Sequence, residues 1–123
     1  MAIVNKVDKK MKMNSWDIVK FQLLTYCHLN KILVSDADLE CLTLLAIEGD
    51  QELSSFCNKA NDKKIFSSIQ SVRNCLTKAE KKYLLIKEGK NKKKIYINPL
   101  LNIQSEGNIL LNYQFLSVGT TTS

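Results

Sequence analysis

A single histidine, no closely paired cysteines, no glycine-rich loop beside either, and no long apolar run set the first bounds on this 123-residue chain. No apolar stretch approaches the roughly 20 residues that a membrane-spanning helix requires, so no membrane partner is expected. The opening Met1-Ala-Ile-Val-Asn-Lys lacks the basic-then-apolar layout of a secretion signal. The expected location is therefore a cytoplasm, either a host cytoplasm or a virion if the chain is phage-encoded. Cys27, Cys41, Cys57 and Cys75 are well separated, and free thiols in partly apolar helices account for them. A zinc site needs clustered thiolates and imidazoles, and His28 has only Cys27 beside it. Ser-His-Asp or Cys-His chemistry would likewise have to run through that one imidazole. Asp36, Asp38 and Glu40 lie close together, but helix capping and the helix dipole explain the first two, and no anion-binding loop accompanies them. The reading is a non-enzymatic protein with no metal and no cofactor.

What the chain does have is enough apolar material for one modest core, at 45% hydrophobic and 24% charged residues. A two-domain enzyme with a large cleft does not fit in this length. Eighteen Lys and Arg against twelve Asp and Glu give a formal charge of +6, which points toward a polyanionic partner. The surplus is uneven. Between Lys59 and Lys94 there are twelve basic residues and three acidic ones, whereas Ser35 to Glu52 holds Asp36, Asp38, Glu40, Glu48, Asp50 and Glu52 and no base. One acidic and one basic end would suit oriented docking on a polyanion or head-to-tail contact between copies.

Residues 1–14 read as an N-terminal arm, with Lys and Met but no sustained period. A helix is expected from Ser15, capped by its hydroxyl, with Trp16, Val19, Leu23, Tyr26 and Cys27 as its buried stripe. Ser35-Asp36-Ala37-Asp38 resembles a capping box and starts a second helix through Leu39, Leu42, Leu45 and Ala46 to Gly49. A short helix follows over about Gln51 to Ala60, with Leu53, Phe56 and Cys57 inward, broken at Asn61-Asp62. Over Ser67 to Tyr83, capped by Ser67 or Ser68, Val72, Leu76, Ala79 and Tyr83 recur at helical spacing, leaving a solvent face of hydrogen-bonding side chains. Trp16, Tyr26, Phe56, Phe66 and Tyr83 are read as core. The period then changes. Leu84 to Glu88 and Lys94 to Asn98 read as the strands of a hairpin with a lysine-rich tip, ended by Pro99. Residues 100–123 hold one more strand, Asn108 to Phe115, which adds to the hairpin or to a neighbour, and a Gly119 to Ser123 tail.

The stretch Phe66-Ser-Ser-Ile-Gln-Ser-Val-Arg-Asn-Cys-Leu-Thr-Lys-Ala-Glu-Lys-Lys-Tyr-Leu-Leu-Ile-Lys-Glu-Gly resembles the recognition helix and first wing strand of the winged helix-turn-helix superfamily. Lys94-Ile-Tyr-Ile-Asn-Pro is similar to the second wing strand of plasmid and phage replication initiators, where a Tyr-x-x-Asn-Pro ending recurs; this chain has one residue fewer between Tyr96 and Asn98. The likeness covers roughly residues 35–99. It implies an α+β fold, a small winged-helix domain over 15–99 with a helical N-terminal half, a β-hairpin wing and an extra C-terminal strand. It also implies duplex DNA as partner. In the major groove Arg73 can meet guanine O6 and N7, and Gln70 or Asn74 adenine N6 and N7, flanked by Thr77, Lys78 and Lys81. Lys90, Lys92, Lys93 and Lys94 of the wing would lie along phosphates, and four or five such contacts give a salt slope of about −4. The protein would then be a phage or plasmid-like regulator or replication accessory. The alternative is a structural adaptor, such as a phage neck or tail ring component, that uses the same fold to contact copies of itself or other assembly subunits.

Overall fold

The computed structural model describes residues 2–11 and 13–117 of the chain. Helix α1 (Ser15–Leu29) starts where Asn14 leaves extended backbone and its Oδ1 accepts from the Asp17 N–H at 2.8 Å. The cap is thus Asn14 and not Ser15, which is already helical; asparagine caps as well as serine, and it stands one residue nearer the true start. Helix α2 (Asp36–Glu48) opens on the expected capping box. Ser35 Oγ accepts from the Asp38 N–H and Asp38 Oδ2 accepts from the Ser35 N–H, both at 3.0 Å. Gly49, at φ +77°, takes the chain out of the helix in a conformation that favours glycine.

Helix α2 is buried on most of its circumference. Beyond the expected Leu39, Leu42 and Leu45, its Cys41, Thr43 and Leu44 are also enclosed, and the Thr43 hydroxyl is satisfied by donating to the Leu39 carbonyl at 2.7 Å. Around it pack α1, α3 (Leu53–Asp62), α4 (Ile69–Lys81) and a small sheet. Helix α3 is capped by Glu52, which accepts from the Ser54 N–H at 3.2 Å. Asn61 and Asp62, expected as a break, belong to its last turn; the break follows at Lys63 and Lys64, with Lys64 at φ +58°. Ser68 Oγ caps α4 by accepting from the Ser71 N–H at 3.1 Å, and Val72, Cys75, Leu76 and Ala79 are buried.

Tyr83 corrects the expected core. The helix ends at Lys81, Tyr83 takes φ +62°, and its side chain is 77% exposed while Leu84 enters the interior. Phe56 is fully buried, and Trp16, Tyr26 and Phe66 pack half-buried against the core.

Strands β3 (Leu85–Glu88) and β4 (Lys94–Ile97) form the expected hairpin, in the register Leu85 to Ile97 and Glu88 to Lys94. The two-residue β2 (Gln51–Glu52) pairs with the other edge of β4, giving the antiparallel order β2-β4-β3.

The two ends of the chain depart from expectation. Ala2–Met11, read as an arm without period, is a ten-residue strand β1, and β5 (Ile109–Ser117) pairs antiparallel with it and not with the hairpin. Strand β2 takes the second edge of β4, and β5 pairs with β1 alone in a separate two-stranded sheet. The ribbon they make touches the rest of the molecule little. Its base is fixed where Gln22 Oε1 accepts from the Gln104 N–H at 2.9 Å and Gln22 Nε2 donates to the Gln104 carbonyl at 2.6 Å. The expected tail, Gly119 to Ser123, lies outside the described residues.

Candidate nucleic-acid interface

Helices α3 and α4 are joined by the six residues 63–68 and pack on one another, so the outer face of α4 is set by its inner stripe. Gln70, Asn74, Thr77, Lys78 and Lys81 are all exposed on that outer face. They are not all free. The Gln70 Nε2 donates to Asn74 Oδ1 at 3.0 Å, which orients the two amides together. The Lys78 ammonium lies 3.5 Å from Asp38 Oδ2. Arg73 is half-buried on the flank toward α3, and its Nη2 donates to Ser54 Oγ at 3.5 Å. That contact is long and to a neutral partner, so it holds the guanidinium loosely.

The hairpin tip presents Lys90, Lys92 and Lys93, exposed and without a carboxylate partner among the described residues. A short 3-10 turn over Lys90–Lys92 shapes the tip. The Leu53 N–H donates to the Lys93 carbonyl at 2.6 Å and ties the tip to the start of α3. Lys94 differs from its neighbours. Its ammonium sits 3.2 Å from Asp50 Oδ2, 3.7 Å from Glu88 Oε1 and 5.9 Å from the Tyr96 ring centre. The Tyr96 hydroxyl donates to Glu88 Oε2 at 2.8 Å, and that bond raises its pKa above the ordinary tyrosine value.

The expected acidic pole is absorbed within the chain. Lys20 sits 2.6 Å from Glu40 and 3.2 Å from Asp36, and these two carboxylates, Glu40 first, raise its pKa. Glu48 pairs with Lys59 at 3.1 Å, Asp38 with Lys78, Asp50 with Lys94, and Glu52 caps α3. All six acidic residues of the 35–52 stretch thus have intrachain partners. The basic surplus is left concentrated elsewhere, at the hairpin tip and at the end of α4. Sequence periodicity shows none of this, because the partners of Asp38 and Asp50 lie forty and more residues away.

Asp38 is the most enclosed charge. Burial alone would push its carboxyl up, but it accepts from the Ser35 N–H, bonds the Cys75 thiol, and faces Lys78. Together these hold it below its ordinary value. The recess it shares with Cys75 and Lys78 is about 30 Å³, room for a water and no larger ligand. All four cysteines are buried and free. Cys75, hydrogen-bonded to Cys41 and enclosed, is pushed far above the ordinary thiol value, and burial raises Cys27 and Cys57. Among the described residues no group of three His, Cys, Asp or Glu is placed to hold a metal ion, and no helix is long and apolar enough to cross a membrane.

Comparison with known protein families, characterised proteins and solved structures finds no match to this chain. Function is therefore read from the residues. The exposed surface of α4 and the hairpin is positively charged and hydrogen-bonding. It offers amides, a hydroxyl and ammonium groups in the proportions that polyanion contact uses.

Proposed function

We propose that the chain is a non-enzymatic DNA-binding protein of winged helix-turn-helix type, a regulator or replication accessory of a phage or plasmid. In this reading α3 and α4 are the helix-turn-helix pair, β3 and β4 the wing, and the short β2 closes the wing's sheet. The observation that carries it is the asymmetry of charge compensation. Asp36, Asp38, Glu40, Glu48 and Asp50 are each ion-paired to a lysine within the chain, while Lys90, Lys92 and Lys93 project from the wing tip unmatched among the described residues. Asn74, Gln70 and Thr77 supply base-edge contacts, Arg73 reaches a guanine by exchanging its Ser54 contact, and Lys81 joins the wing lysines on phosphates. Lys94 contributes least, because its charge is already engaged.

The test is fluorescence anisotropy of a labelled duplex titrated with the full chain at several salt concentrations. About four phosphate contacts predict a slope of log affinity against log salt near −4. Replacing Lys90, Lys92 and Lys93 together by alanine is expected to make it shallower by about 3, whereas Lys94→Ala changes it by well under 1. Absence of binding at low salt, or a slope indifferent to the three substitutions, overturns the reading. The structural adaptor then becomes the better account, and the uncovered β1–β5 ribbon is the observation that favours it.

A further inference from the structure

The β1–β5 ribbon has apolar side chains on both faces, but its rings and its charges are sorted between them. Residues opposite one another in an antiparallel pair share a face, and alternate pairs share the same one. The register places Leu111, Tyr113 and Phe115 on one side, opposite Lys9, Val7 and Asn5. Exposed Ile3, Leu110 and Leu116 fall on the other side with Lys6 and Asp8. That second side therefore has aliphatic side chains and the carboxylate. The first has two aromatic rings, Tyr113 47% and Phe115 58% exposed, beside the exposed Lys9 ammonium and Asn5 amide. No carboxylate stands on it among the described residues.

We infer that this aromatic face is a stacking platform for an unpaired nucleic-acid strand. The spacing of the rings selects such a ligand. Tyr113 and Phe115 are two residues apart on one strand, about 6.8 Å. That is twice the step of about 3.4 Å between stacked bases along one strand of a duplex. Paired bases turn their edges outward and offer these rings no face, whereas bases drawn out of their stack do. Tyr113 and Phe115 would each take one base, Lys9, diagonal to Tyr113, a phosphate, and Asn5, opposite Phe115, a base edge. Charge favours the same occupant. The two strands carry three lysines against one aspartate. A protein packed on this face would have to enclose Lys9 and Asn5, which costs free energy unless each finds a partner. A polynucleotide supplies both partners along with the flat apolar faces that the rings need. The inference rests on the ribbon's residues and not on α4 or the wing.

Anisotropy of labelled oligonucleotides titrated with the full chain at low salt tests it. An oligo-dT strand of about 15 nucleotides should bind about fivefold or more tightly than an abasic strand of equal length, since stacking contributes at least that factor per base. Oligo-rU of the same length identifies the source: the tighter of the two names the strand as DNA or RNA, and this margin over the abasic strand with either supports the platform. Phe115→Leu keeps the apolar bulk and removes the ring, so it should cost about fivefold or more without altering the salt slope, and Phe115→Tyr should restore binding. Lys9→Ala should make the slope of log affinity against log salt shallower by about 0.7. Leu110→Ala, on the other face, should change neither. With Lys90, Lys92 and Lys93 replaced by alanine, the margin over the abasic strand should persist, so the platform and the wing fail separately. Equal affinity for strands with and without bases overturns the proposal. So does a Phe115→Leu chain that binds as well as wild type, a Phe115→Tyr chain as weak as the leucine one, or a margin that vanishes with the wing lysines. A dimer in sedimentation equilibrium that Tyr113→Glu dissociates would put a second copy on this face, and also overturns it.

Discussion

Asp38 shows how one side chain can hold several parts of the molecule. Its backbone and carboxylate complete the capping box of α2, its second role is to face Lys78 on α4, and it bonds the Cys75 thiol in the core. Because these contacts favour the charged form, its folded pKa lies below the ordinary value of 3.8. The stability it contributes is therefore complete above that ordinary value and is lost as pH falls through the lower, folded one. Asp38→Ala is expected to cost about 1–2 kcal/mol at pH 7, as loss of a cap does. Urea unfolding at pH 7 and pH 3 should show the gap between wild type and variant narrowing in acid. A gap that widens in acid would mean that the carboxylate is held against its preference. The aspartates' capping role was legible in the sequence, since Ser35 and Asp38 stand at the box spacing. The ion pair with Lys78 was not, because nothing local joins residues forty apart.

At the scale of elements, the hairpin depends on Asn98. Its Nδ2 donates to the Tyr83 carbonyl at 2.8 Å, its N–H to the Leu84 carbonyl at 3.0 Å, and its Oδ1 accepts from the Leu100 N–H at 3.0 Å. The end of β4 is thereby bonded to the turn that leads out of α4, so the Asn-Pro ending is a structural clamp between helix and wing. Asn98→Ala should cost about 1–2 kcal/mol in chemical denaturation, as for lost hydrogen bonds to a turn. Tyr83→Gly should be close to neutral, within about 0.5 kcal/mol, because relief of the left-handed backbone offsets the loss of an exposed ring. Equal, small effects of the two would remove the clamp from the account. The helices and the hairpin follow from periodicity and caps that the sequence displays. Tyr83 did not, since the helical spacing of apolar residues continues past the helix itself, and a left-handed residue there turns the next side chain, Leu84, inward. The β1 strand was hidden for a different reason. An extra residue, Val4, lies between Ile3 and Asn5 opposite the consecutive Leu116 and Phe115, so alternation breaks, and a ribbon with no core behind it keeps lysines where a packed strand would not.

For the molecule as a whole, the helical body and the ribbon differ in how they are held. The body has one core to which α1, α2, α3 and α4 contribute Cys27, Cys41, Cys57 and Cys75, one thiol from each helix and all buried. The ribbon has no share in it. The four thiols therefore report on the opening of the body alone. Buried, with Cys27, Cys57 and Cys75 raised in pKa, they should resist a thiol reagent such as Ellman's in the native protein and react fully in denaturant. If the four helices open as one cooperative unit, the labelling should proceed in a single phase whose denaturant dependence matches unfolding followed by circular dichroism. A fast phase of one thiol, independent of denaturant, would single out one helix as separable from the rest. Phe115→Glu should leave the labelling unaltered, because that substitution touches the ribbon and not the core. A change in labelling there would mean that the ribbon braces the helical body, and that its exposed side chains serve the fold of their own chain.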